Sequence, residues 1–226
     1  MVETWEYFLK ILPALRDGLL VSLQIFLCTI VFSIPLGLPF ALGSINKFPP
    51  LRWFCRLYIL LFRGTPLMLQ LFFFYFFLPI TCGIRLDALP TAVITYVLNY
   101  AAYFAEIYRG GIESIDKGQH EAAQSLGISK VRTMFGIIIP QTVKRVLPSV
   151  ANETITLVKD TSLVYVIGVQ ELMKAAKGAV NRDQKLLAYA VAAGIYLLLT
   201  FVLTILFKKL EKRFSKSEES GGKKRG

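Results

Sequence analysis

Glu153 and Asp160 stand seven residues apart in a largely apolar stretch. On an α-helix that spacing leaves them about 20° apart around the axis, on one face and two turns apart. Thr156 lies between them and Asn152 borders the same face. A second stripe, Asn99, Tyr103 and Glu106, is spaced four and three, which aligns an amide, a phenol and a carboxylate on one helical side. A third apolar stretch is interrupted by Arg63-Gly64-Thr65-Pro66. Such a break frees backbone groups and is tolerated at membrane depth only where protein or a cavity surrounds it. An isolated carboxylate near a bilayer centre costs roughly 3 kcal/mol. Glu153 and Asp160 must therefore face a water-filled cavity, pair with Lys159 or Arg63, or meet a cationic ligand. This is the chemistry of recognition. Bond making needs other groups.

Those other groups are scarce. His120 is the single histidine and sits in a loop, which leaves little for acid–base catalysis. Cys28, Cys55 and Cys82 are far apart, show no CxxC spacing, and read as small buried hydrophobes. No G-x-x-x-x-G-K-[ST] stretch occurs, so the chain cannot cradle ATP phosphates itself. The chain is expected to be neither an enzyme nor a metal or cofactor binder.

The elements that position the polar groups follow from composition. Of 226 residues, 54% are hydrophobic and 18% charged, against roughly 25% charged in soluble domains. Mean hydropathy is +0.54. The net charge of +11 lies between long apolar blocks, which favours anionic lipid over nucleic acid as its partner. A span needs about 20 apolar residues. Gly18–Asn46, Gly64–Ile84 (reaching back through Leu57–Phe62), Ala88–Ala105, roughly 138–160, and Leu186–Phe207 meet that measure, which predicts an all-α membrane protein with five transmembrane helices. An irregular segment should follow the fourth. Residues 1–17 read as an interfacial segment rather than a secretory signal, with Glu3, Glu6 and Asp17 where a basic region would stand. Residues 18–207 form the membrane domain and 208–226 a basic tail, disordered from Ser215. With the N-terminus outside, inner segments carry fifteen Lys and Arg and outer ones seven, which predicts a cytoplasmic C-terminus.

The long loop over 107–132 holds one more pattern. Gln119-His-Glu-Ala-Ala-Gln-Ser-Leu126 is rich in helix formers and ends at Gly127, a natural helix terminator. Ala122 and Ala123 give it a low-profile face for another protein's groove. A rigid helix of this kind can transmit a push to the spans beside it.

Glu121-Ala122-Ala123, Gly127 and Ile139-Pro140 together resemble the EAA loop of ABC-importer permeases. Arg63-Gly-Thr-Pro-Leu67, Gln70-Leu-Phe-Phe73 and Lys159-Asp-Thr-Ser-Leu163 are similar to the permeases of polar amino-acid importers, and the likeness runs from about Leu12 to Phe207. The resemblance implies a type I ABC-importer permease fold in a bacterial cytoplasmic membrane. It makes Glu121, Ala122, Ala123, Ser125, Leu126 and Gly127 a coupling helix that docks an ATP-binding subunit dimer, with ATP and Mg bound there. It further implies a second permease subunit, identical or closely related, and an extracellular or periplasmic substrate-binding protein.

The substrate is then expected at Glu153, Asp160, Asn99, Tyr103, Thr156, Asn152, Thr65 and Gly64. Two acids on one face favour a basic amino acid such as arginine, lysine or histidine; glutamine or glutamate remains open, since an α-ammonium satisfies one carboxylate. For Asp160 the competing role is internal pairing, and for Asn99 and Tyr103 it is joining helices. Arg63 reads as internally paired or as an anchor of its helix, and Glu106 as structural, paired with Arg109 or with a neighbouring chain. The Phe72–Phe77 cluster reads as packing or lipid-facing surface. A gradient-driven secondary transporter and a non-transporting adaptor or export subunit are the rival classes.

Overall fold

Apolar side chains continue through the N-terminal segment, and the backbone follows them. In a computed structural model, which describes residues 2–222 and side chains over 3–213, α1 runs unbroken from Val2 to Ser44. Its 43 residues reach about 65 Å at 1.5 Å per residue, twice the ~30 Å of a hydrocarbon core. The expected boundary at residue 17 therefore falls inside one helix. Tyr7, Ile11 and Leu15 repeat every four residues and are buried against Leu172, Ala176 and Ala179 of α9 (Leu172–Asp183) and Ala188 and Ala192 of α10 (Leu187–Gly222). Trp5, Leu9 and Leu12 remain on the outer side. Three apolar side chains assigned to the interface, Tyr7, Ile11 and Leu15, are thus covered by protein. Lys10 also reaches Asp183 at 3.0 Å, tying α1 to the end of α9.

The second expected span is two helices. α2 (Pro49–Gly64) meets the segment Leu67–Cys82 at 105°. That segment comprises α3 (Leu67–Phe72), a π-helical turn at Phe73–Phe77 and α4 (Leu78–Cys82). Pro66 is the cause: it disfavours helical geometry at the residue before it, and Thr65 is extended at φ −118°, ψ 145°. Phe73, Phe76 and Phe77 are exposed, with Phe73 stacked on Phe77.

α5 (Ala88–Glu113) outruns the expected Ala88–Ala105 by more than two turns and is the best buried of the long helices. Tyr96, Tyr100 and Phe104 line its core side with Ile25 and Phe26 of α1, Leu71 of α3, and Leu157 and Val158 of α8 (Ile139–Asp160). At Gly111 any Cβ would collide with Val146 of α8 and lie 2.9 Å from Thr142 Cγ2, so glycine permits this helix crossing. α6 (Lys117–Ser125) and the short α7 (Lys130–Thr133) lead into a π-helical turn and α8. A 3-10 segment over Thr161–Ile167 follows α8, where an irregular segment was expected.

Among the described residues three helices are individually long and apolar enough to cross a membrane: Glu3–Ser44, Ala88–Glu113 and Leu187–Arg213; the bent pair makes a fourth if it counts as one span. The described part of the Ser215–Gly226 tail continues α10 through Gly222, and residues 223–226 lie outside the described residues. Of the three cysteines, all free, only Cys55 is buried; Cys28 is partly exposed and Cys82 exposed, which corrects the reading of all three as core.

Candidate functional site

A cavity of about 500 Å³ opens where the α2–α3 bend, α5 and the last two turns of α8 meet. Helical periodicity brings Glu153, Thr156 and Asp160 to it from α8, and Asn99, Tyr100 and Tyr103 from α5. Arg63, Gly64, Thr65, Pro66 and Leu67 close the third side. Seven of the eight sequence-predicted substrate residues line this one space. Asn152 does not: it is exposed, one helical step off the shared face of α8.

Hydrogen bonds hold each wall. The Tyr100 hydroxyl donates to Asp160 Oδ2 at 2.8 Å, and the Tyr96 hydroxyl donates to the Asp160 carbonyl. At the bend, Gln70 Nε2 donates to the Phe62 carbonyl at 2.8 Å and to Thr65 Oγ1 at 2.8 Å, and lies 3.1 Å from the Thr65 carbonyl. Asn99 Nδ2 donates to the Phe62 carbonyl at 3.0 Å and to Gln70 Oε1 at 2.9 Å. The Phe62 and Thr65 carbonyls at the break are therefore satisfied by side chains, which lowers the cost of a nonhelical turn in an apolar setting. Asn99 thus joins helices with its amide hydrogens while still lining the cavity.

The charges separate into two groups. Glu153 and Asp160 form no ion pair among the described residues, and Lys159 points to a different cleft, beside Tyr189 and Tyr196 of α10. Arg63 Nη1 is 3.5 Å from Glu106 Oε1, and its guanidinium lies over the Tyr103 ring at 5.4 Å. Arg109 binds both oxygens of Glu106 at 2.6 and 2.9 Å and reaches Glu113 at 2.6 Å. The readings of Arg63 as internally paired and of Glu106 as structural describe this cluster. A second cavity of about 570 Å³, lined by Arg56, Arg63, Gly64, Glu106 and Arg109, adjoins the first across Arg63.

Sequence reasoning missed Tyr96 and Tyr100, and it placed Gln70 in a motif without giving it a role. Tyr96 and Tyr100 lie at the same three- and four-residue spacings as Asn99 and Tyr103, so the stripe was readable one turn further. Gln70 gave no such signal, because its role depends on the bend. Glu171 was also missed. It is fully buried and caps α9, accepting from the Met173 and Lys174 amides at 2.7 Å each and from the Tyr196 hydroxyl at 3.0 Å.

The loop helix occupies Lys117–Ser125, two residues ahead of its expected start. Asp116 caps it, accepting from the Gly118 amide at 2.6 Å. At the other end Gly127 takes φ +70°, with the Gly127 amide bonded to the Gln124 carbonyl and the Ile128 amide to the Ala123 carbonyl. This is a Schellman termination, which needs a left-handed residue at that position. Glu121, Ala122, Ser125 and Leu126 are exposed, Leu126 at 77%. Ala123 is 2% exposed and faces the chain's own interior, so the low-profile outer face consists of Ala122 without Ala123. Arg145 of α8 donates to the Ser114 carbonyl just upstream, joining this loop to the helix that carries Glu153.

Residues 33–216 match the family described as binding-protein-dependent transport system inner membrane component. The chain is 38% identical to the arginine transport system permease protein ArtQ of Bacillus subtilis over 208 residues, covering 92% of this chain and 95% of the relative. It is also 38% identical to the B. subtilis L-cystine transport system permease protein TcyB, covering 90% and 88%. To a putative glutamine transport system permease protein GlnP of Rickettsia felis it is 34% identical, covering 92% and 98%. A crystal structure of an amino acid ABC transporter with histidines superposes with a TM-score of 0.85 at 33% identity, covering 91% of this chain and 96% of that one.

Proposed function

The chain belongs to the family of binding-protein-dependent transport system inner membrane components, and on that premise we propose that it is the transmembrane permease subunit of an ATP-driven amino-acid importer selective for a basic amino acid (arginine, lysine or histidine). The observation that carries the substrate class is the shared cavity with Glu153 and Asp160 on one wall, neither of them ion-paired among the described residues. Cationic ligand groups offset the cost of holding two carboxylates in apolar surroundings. The relative named for arginine and the solved transporter with histidines support the same class.

In this reading five spans cross a bacterial cytoplasmic membrane, with the N-terminus outside and the C-terminus inside: α1, the bent pair, α5, α8 and α10. Two permease subunits enclose the path, and a substrate-binding protein delivers the amino acid from outside. An ATP-binding subunit dimer, which holds ATP and Mg, grips the Glu121–Gly127 helix. Closure of that dimer draws the two coupling helices together, and α5 and α8 carry the movement to the cavity walls. This chain's own part is to recognise and to move.

The glutamine-named relatives support a second reading, in which one carboxylate meets only an α-ammonium. Reconstitution with an ATPase and binding protein, scored by inward flux of labelled arginine and glutamine, separates the two. Glu153→Gln is expected to reduce arginine flux more than glutamine flux. Equal loss for both removes the charge-matching basis of the proposal.

A further inference from the structure

Arg63 is a cation with donors to spare in the wall of the cavity. Its partner Glu106 is already satisfied: Arg109 binds both carboxylate oxygens at 2.6 and 2.9 Å, whereas Arg63 makes a single contact at 3.5 Å. The Arg63 side chain is 39% exposed and lines both adjoining cavities. Tyr103 supports its guanidinium at 5.4 Å, which leaves edge N–H groups free to donate. Beside it, a Cβ placed on Gly64 would meet nothing within 4 Å, so there is room for a ligand group or for the guanidinium to swing.

The cavity thus carries two carboxylates and one guanidinium, and a basic amino acid carries two cations and one carboxylate. A guanidinium binds a carboxylate through two parallel N–H···O bonds, a geometry the long Glu106 contact does not use.

We infer that Arg63 is the anchor for the substrate's α-carboxylate, the group that makes the site select amino acids over the corresponding amines. The inference rests on the reading of this cavity as the amino-acid site, but it holds whether the side chain recognised is basic or an amide. Binding the α-carboxylate exchanges the weak Glu106 contact for a bidentate one. Because Arg63 also forms the wall toward the second cavity, this exchange moves the group that separates the two spaces.

The test compares an amino acid with its decarboxylated form on the full chain purified with its ATPase partner in lipid nanodiscs. Kd is measured by equilibrium dialysis for L-arginine and agmatine, and in parallel for L-glutamine and 4-aminobutanamide. The wild-type complex should prefer the amino acid of its better-bound pair at least tenfold. Arg63→Gln should bring that preference below threefold by weakening the amino acid, while the amine changes less than twofold. Arg63→Lys, which keeps the charge without the fork, should lie between them and carries the test if the glutamine variant does not fold. Equal weakening of both members of a pair, or an unchanged preference, overturns the anchor. If the wild type binds neither amino acid, the cavity reading falls and the anchor with it. If it binds one, Glu153→Gln weakens it and the Arg63 variants keep the preference, the anchor alone falls.

Discussion

The Tyr100 hydroxyl of α5 donates to the Asp160 Oδ2 in the last turn of α8 at 2.8 Å, so one candidate ligand group is aimed by a residue on a different helix. Tyr100→Phe removes that donor and little volume. A hydrogen bond to a charged group contributes about 1.5–3 kcal/mol. We expect a lower unfolding temperature in detergent and arginine affinity reduced roughly tenfold, since 1.4 kcal/mol is a factor of ten. In a double-mutant cycle with Asp160→Asn, the second substitution should add little. Full additivity would show that the two residues act independently.

Gly111 sets the distance between α5 and α8. Gly111→Ala places a methyl against Val146 and 2.9 Å from Thr142 Cγ2, an overpacking expected to cost about 1–3 kcal/mol. Val146→Ala removes the obstructing branch and should restore much of the loss when combined with it. Thermal unfolding of the single and double variants measures both, and absence of rescue would place the strain elsewhere.

Glu171 is buried where α1, α9 and α10 meet, accepting two backbone amides and the Tyr196 hydroxyl. Glu171→Ala leaves those donors unsatisfied and opens space, so we expect more than about 2 kcal/mol of destabilisation. Tyr196→Phe removes one donor only and should cost less. A ranking reversed in denaturation experiments would contradict this network.

Leu126 is exposed at the end of the loop helix and buries little within the chain. Leu126→Glu should leave the unfolding temperature of the isolated chain within about 1–2 °C, because exposed substitutions generally stay within about 0.5 kcal/mol. If that face docks an ATPase, the same change should lower co-purification of the ATPase and ATP-driven flux at least tenfold. Gly127→Ala acts differently: the left-handed conformation at φ +70° costs a non-glycine residue about 1 kcal/mol, so it should loosen the helix end itself.

The Asp183 carboxyl is held well below the ordinary carboxylate range, first by the Arg182 guanidinium bound to it and then by the Lys10 ammonium at 3.0 Å. A carboxyl with a lowered folded-state pKa adds stability above its unfolded value, near pH 4, and that stability is lost as pH falls below it. The difference in unfolding temperature between wild type and Asp183→Asn should therefore be present at pH 7 and shrink between about pH 4 and pH 2. It should also fall in high salt, because the Lys10 and Arg182 side chains that hold it are exposed. A difference that grows on acidification would exclude the assigned cause.

Much of the candidate site was readable because its parts are local. A spacing of seven from Glu153 to Asp160, or of four from Asn99 to Tyr103, fixes a shared face as soon as the segment is helical. The helix over Ile139–Asp160 was legible for the same reason, whereas the segment after it was expected only to be irregular and is a 3-10 helix. Asn152 shows the limit: it borders the polar face by the same periodicity, yet it falls outside the cavity. Ala123 shows it again, since a pair of alanines in sequence does not say which of them is turned inward.

The chain's own sequence determined where helices run and which side chains share a face, because hydrophobic periodicity, proline and capping act over a few residues. Tertiary structure decided how those faces meet. At the 105° bend Gln70 and Asn99 hold the Phe62 and Thr65 carbonyls, and Asp160 is aimed by Tyr100. Proline permits a break without setting its angle. The bend is held by Gln70, which bridges its two sides, and by Asn99 from α5, whose bonds to Phe62 and Gln70 form only once the helices have packed.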